Sequence, residues 1–172
     1  MSNQDCLDLV LLVVLVLASA FDLRRRRIPN RLLALALLAA LTLHLASGHP
    51  AALLSTYLAG FALGLIMFLP LYVMGGMAAG DVKLMATVGA FLGPALVFQA
   101  SLATYCAGGV LALVMVLHQG RWRTAFANVL VMLQPLLWRR PPTASGAASV
   151  GGMPYAVAIT AGTLLVMWNY HA

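Results

Sequence analysis

The sequence predicts an all-α integral membrane protein with six transmembrane helices, one further interfacial or re-entrant helix, and both termini on the outer side. Three observations lead there. Of the 172 residues, 63% are hydrophobic and only 8% charged, with a mean hydropathy of +0.97, far above that of a soluble domain. The apolar residues form continuous runs rather than alternating, which selects helices over a membrane β-barrel. The basic residues fall between those runs, where they act as topology signals.

Apolar runs cover residues 9–23, 32–46, 51–74, 84–117, 125–138 and 150–168. The fourth is too long for one span: its 34 residues rise ~50 Å as a helix, against a hydrocarbon core of ~30 Å. It must turn, and Gly93-Pro94 is the best place, with Gly closing one helix and Pro opening the next. A turn near Gln99 to Ser101 is the alternative. A turn at Gly93 leaves a helix over 81–92 of ~18 Å, too short to cross the core, so one of its ends is recessed. The run 125–138 is also short and has Arg121 and Arg123 before it and Arg139 and Arg140 after it, so both ends want the same side. It reads as the interfacial or re-entrant helix, with Trp122 and Trp138 at headgroup level, followed by a small-residue loop from Pro141 to Gly152.

Six spans then put Arg24 to Arg27, Arg31, Lys83, Arg121, Arg123, Arg139 and Arg140 on one face, the cytoplasmic one, and no basic residue on the other. The formal charge of +6 is therefore explained by topology, and a nucleic-acid partner is not expected. Ala18-Ser19-Ala20 resembles a signal-peptidase site, but Asp5 and Asp8 precede the apolar run and four arginines follow it, the reverse of a signal peptide. A retained first span is expected. Cys6 and Cys106 are far apart and the four histidines scattered, so neither a disulfide framework, nor a metal site, nor a cofactor is expected. Residues 1–172 read as a single membrane-embedded domain.

Only four acids occur, Asp5, Asp8, Asp22 and Asp81. The topology places Asp22 in the last turn of span one and Asp81 at the start of span four, both at the cytoplasmic end. Ionisable groups at membrane depth are expensive and usually functional. Two neighbouring carboxyls cannot both ionise easily and share a proton, so that one can act as base on a water and the other as acid toward a carbonyl. The bland reading is that Asp81 is an N-cap accepting from the amides of Lys83 or Leu84, and that Asp22 pairs with the arginines after it.

The segments FDLRRRRIPNRL (21–32), GDVKLMATVGAFLGP (80–94) and MPYAVAITAG (153–162) resemble, in that order, the type IV prepilin leader peptidases, and most closely their short branch serving Flp-type pili. The resemblance implies a membrane aspartic protease of the GxGD type in the bacterial cytoplasmic (inner) membrane, with Asp22 and Asp81 as its catalytic pair and Gly80 as part of the motif. It implies a prepilin substrate with a short basic leader and an apolar helix, alongside the lipid bilayer. Ala78 stands where the motif's first Gly would be, so either this position takes an ordinary backbone conformation or activity is reduced. Long members carry a four-cysteine insert and also methylate the new N-terminus. This chain has neither those cysteines nor room for the insert between Arg24 and Arg31, so peptidase activity without methyltransferase activity is expected.

Asn30 is expected to cap the second span, with a possible role in orienting Asp22, and Lys83 to anchor at headgroup level or help hold Asp81 ionised. Gly60 and Gly64 form a GxxxG that reads as a helix contact. Tyr155 lies in the matched C-terminal segment without an evident role. Two other classes use the same residues: a proton- or cation-coupled transporter subunit in which Asp22 and Asp81 bind the ion, and a non-catalytic secretion subunit. Against a transporter, the acids lie toward one face and no inverted repeat is visible.

Overall fold

The computed structural model describes residues 3–46, 48, 53–119 and 155–172, and these are all-helical. They form α1 (Asn3–Arg25), α2 (Asn30–Ala46), a π-helical segment (Leu53–Leu58) continuing into α3 (Ala59–Val73), α4 (Ala79–Gln119) and α5 (Tyr155–His171). The expected helix over 125–138 and the loop after it lie outside the described residues. The chain divides into two compact units, Met1–Gly108 with Pro154–Ala172, and Gly109–Met153. The architecture below is that of the first.

Among the described residues, three helices are long and apolar enough to cross a membrane: Asn3–Arg25, Ser55–Val73 and Ala79–His118, with mean hydropathies of 2.5, 1.8 and 2.0. At 17 residues each, α2 and α5 rise about 25 Å, slightly less than the hydrocarbon core. α1 starts six residues before its apolar run. Asp5 in its first turn suits the positive end of the helix dipole, and the side-chain amide of Asn3 donates to Leu43 O of α2 at 3.1 Å.

α4 is two helices joined at Gly93, whose φ of 79° and ψ of 175° lie outside the helical region and favour glycine. The packing shows that the chain reverses there. Gly89 faces Gly60 and Met85 faces Gly64, so the arm from Ala79 to Leu92 runs antiparallel to α3. Beyond the break, Gly93 lies against Thr56 while the Tyr105 hydroxyl donates to Met67 O and its ring stacks on Phe68, so the second arm runs along α3 in the same direction. The break is thus the Gly93-Pro94 turn read from the sequence, and the later position at 99–101 is helical instead.

The short first arm is the centre of the unit. From Asp81 to Leu92 every residue except Lys83 is buried, as expected for a helix apolar on all sides. Around it stand α1, whose buried positions Leu7, Leu11, Val14, Leu15, Ala18 and Asp22 follow helical spacing, and α2, which runs parallel to it from the Asn30–Lys83 contact to a bond between His44 Nε2 and Ala90 O at 3.0 Å. α5 runs antiparallel to α1: Asp22 meets Ala156 at one end, and Asp8 meets His171 at the other, at 3.0 Å. The ends of the chain at Asn3 and His171 therefore lie at the end of the helices opposite Asp22 and Asp81.

Candidate active site

Both internal acids are buried, Asp22 with 8% and Asp81 with 5% of its surface exposed, although they stand 59 positions apart in the chain. Each is held by an amide at a helix start, where the first four N–H groups lack partners within the helix and the dipole favours negative charge. Asp22 occupies the last position of the buried stripe of α1, and its Oδ2 accepts from the backbone N–H of Ala156, second residue of α5, at 3.1 Å. Asp81 is the third residue of α4, and its Oδ2 accepts from the N–H of Ala78, just before the helix, at 3.3 Å. The two carboxyls lie within coulombic reach of each other.

This geometry corrects both halves of the bland reading. Asp81 is not an N-cap accepting from Lys83 or Leu84: the helix begins two residues earlier, and the carboxylate reaches back to Ala78, as the N3 residue of a capping box does. Asp22 feels the charge of Arg26, but no arginine forms an ion pair with it among the described residues. α1 ends with Arg26 in the left-handed region at φ 51°, its N–H bonded to Asp22 O at 2.8 Å, a helix stop usually made by glycine.

The residues expected to support the acids have other partners. Lys83 Nζ donates to Asn30 Oδ1 at 3.2 Å, joining α2 to α4, and neither side chain bonds a carboxylate among the described residues. Asn30 is the first residue of α2, with its side-chain oxygen turned to Lys83. Gly80 has no positive φ, and a Cβ placed on it would meet Ile28 at an ordinary 3.6 Å. Ala78 likewise has no positive φ, so the residue replacing the first glycine of the motif takes an ordinary backbone conformation.

Three participants were not legible as such. The Ala156 amide has no side-chain signal, although Pro154 before it is a helix-opening residue. Tyr155 packs its ring against Gly108 and lies within coulombic reach of Asp81. Ser19, one turn before Asp22 on the same face, bonds α5, and the i, i+3 spacing was the available clue.

No metal-binding group of His, Cys, Asp or Glu occurs among the described residues. What the arrangement holds is two buried carboxyls within reach of each other's charge, each accepting from a backbone amide at a helix start.

Residues 9–113, a stretch containing both acids and the Gly93 turn, match the model of the type IV leader peptidase family. The chain belongs to this family. No curated protein and no solved structure matches it. As a type IV leader peptidase with several long apolar helices, it is a multi-pass membrane protease. The family match ends before α5, yet α5 supplies the amide on Asp22.

Proposed function

We propose that this leader peptidase removes the short basic leader of a prepilin of the Flp type by aspartic-protease chemistry at Asp22 and Asp81. The observation that carries the reading is that two buried carboxyls, from distant parts of the chain, lie at one end of the helices within reach of each other's charge. The ionised member takes a proton from water as the water oxygen attacks the scissile carbonyl carbon. The protonated member gives its proton to the carbonyl oxygen. The gem-diol then collapses: the ionised member takes a proton from a diol hydroxyl, the C–N bond breaks, and the protonated member gives its proton to the departing amine, which restores the singly protonated pair. No metal or cofactor enters this scheme. Residues 1–172 act as one membrane-embedded peptidase domain, without methyltransferase activity.

The proposed topology counts α1, α2, α3, the two arms of α4 and α5 as six spans, with 125–138 as an interfacial or re-entrant helix. Both termini face outward and the acids lie at the cytoplasmic face of a bacterial inner membrane, where a leader is cut just before an apolar helix. Reporters active only in the cytoplasm are expected to give signal when fused after Arg27 or Met77, and none when fused near Gly48 or after Ala172. A signal after Ala172 contradicts six spans.

Co-expression with a prepilin, in cells lacking any other prepilin peptidase, tests the activity. The pilin is expected to lose its leader and keep an unmethylated new N-terminus. Full-length pilin in the presence of correctly inserted enzyme contradicts the reading.

A further inference from the structure

One residue of α5 is bound to α1 from both sides. The N–H of Ala156 donates to Asp22 Oδ2 at 3.1 Å, and its carbonyl accepts from Ser19 Oγ, one turn earlier on α1, at 3.2 Å. Ser19 Oγ also lies 2.7 Å from Thr160 Oγ1, and Thr160 Oγ1 lies 3.3 Å from Leu15 O. Two hydroxyl protons serve three contacts: Ser19 donates to Ala156 O, and the single Thr160 proton is shared between Ser19 Oγ and Leu15 O. Leu15, Ser19 and Asp22 lie along one face of α1, and Ala156 and Thr160 along one face of α5, so the bonds form a ladder up the seam between the helices.

This ladder is specific to its place. Between this ladder and the Asp8–His171 contact at the far end of the two helices, the buried residues of α1 and α5 include the apolar Leu11, Ala18, Ile159 and Val166, which carry no hydrogen-bonding side chain. In a membrane, apolar contact gives helices little reason to choose one register, and hydroxyl bonds across the seam do. A slip of α5 along α1 by a fraction of a turn would carry the Ala156 amide off the Asp22 carboxyl.

We propose that Ser19 and Thr160 are positioning residues for Asp22, fixing the register of α5 on α1 so that the Ala156 amide holds the carboxyl in place. They do not touch the reacting atoms. The proposal rests on the assignment of Asp22 to the catalytic pair, and the test separates the two.

Five variants are compared in liposomes with a prepilin substrate at equal amounts of inserted protein: Asp22→Asn, Ser19→Ala, Ser19→Thr, Thr160→Val and Thr160→Ser. Ser19→Ala and Thr160→Val, which remove the hydroxyls with little change of volume, are expected to lower kcat about tenfold with KM within twofold, because a small misplacement of a reacting group is felt in the chemical step. Ser19→Thr and Thr160→Ser keep the hydroxyls and are expected to retain at least half of the wild-type kcat. If Asp22→Asn is inactive while Ser19→Ala and Thr160→Val cleave at the wild-type rate, the positioning role is wrong and the dyad stands. If the hydroxyl-bearing variants lose as much as the hydroxyl-free ones, size rather than hydrogen bonding matters and the proposal is again wrong. Full cleavage by Asp22→Asn overturns the catalytic assignment itself. Normalising to inserted protein keeps a variant of low yield informative.

Discussion

Asp22→Asn and Asp81→Asn are each expected to abolish leader cleavage, by at least ~10³-fold, while leaving the protein inserted. Asparagine keeps the shape of the side chain and can still accept from Ala156 or Ala78, so the helix-start contacts at 3.1 and 3.3 Å survive. What disappears is a proton that can be given and taken back. The double variant is expected to be no worse than either single one, because groups that act as a unit lose their whole contribution together. Asp8→Asn is the comparison. Its carboxylate meets His171 at 3.0 Å at the far end of the helices, half-exposed on the histidine side, and its loss is expected to change the rate less than twofold. Cleavage assays on equal amounts of membrane protein decide this, and a fully active Asp81→Asn enzyme would favour the transporter reading.

The second large effect concerns backbone packing beneath Asp81. A Cβ on Gly60 would fall on the carbonyl of Gly89, and one on Gly89 on the carbonyl of Gly60, so α3 and the short arm of α4 touch backbone to backbone. Small residues permit such close approach and bring dispersion contacts that larger side chains forbid. Gly60→Val and Gly89→Val must push the helices apart, at a cost of about 3 kcal/mol or more. They are expected to lower the thermal midpoint and to remove most cleavage, because the arm that moves carries Asp81. Gly80→Ala is the contrast, and the more surprising because Gly80 belongs to the sequence motif. With no positive φ and Ile28 at 3.6 Å, an added methyl group fits, and activity within twofold of wild type is expected. A stable, active Gly89→Val protein would contradict the packing described.

These effects also mark what the sequence could disclose. The break at Gly93-Pro94 was legible because a 34-residue apolar run exceeds the bilayer and only one pair of residues in it combines a helix stop with a helix start. That Asp22 and Asp81 share one end followed from counting spans. The buried face of α1 was not legible. Lipid-facing positions such as Leu9, Val13 and Val16 are as apolar as the core positions Leu11 and Leu15, so the pattern that reveals a core in water vanishes in a membrane. Asp22 is the exception that marks the stripe. The Ala156 amide was hidden for another reason: a backbone donor belongs to every residue, and only the fold selects it. The bond between Lys83 and Asn30, which joins α4 to α2, depends on helix register that spacing along the chain does not encode.

The central claim is that two carboxyls share one proton across the scissile bond, and the rate of leader release by the purified protein in liposomes, measured across pH, tests it most directly. A pair that must be singly protonated gives a bell-shaped profile, falling on the acid side as both carboxyls are protonated and on the alkaline side as both ionise. The two limbs belong to the pair and not to either residue. The expected result is a bell for the wild type and no measurable rate at any pH for Asp81→Asn. A wild-type rate that stays level or rises steadily with pH would contradict a shared proton.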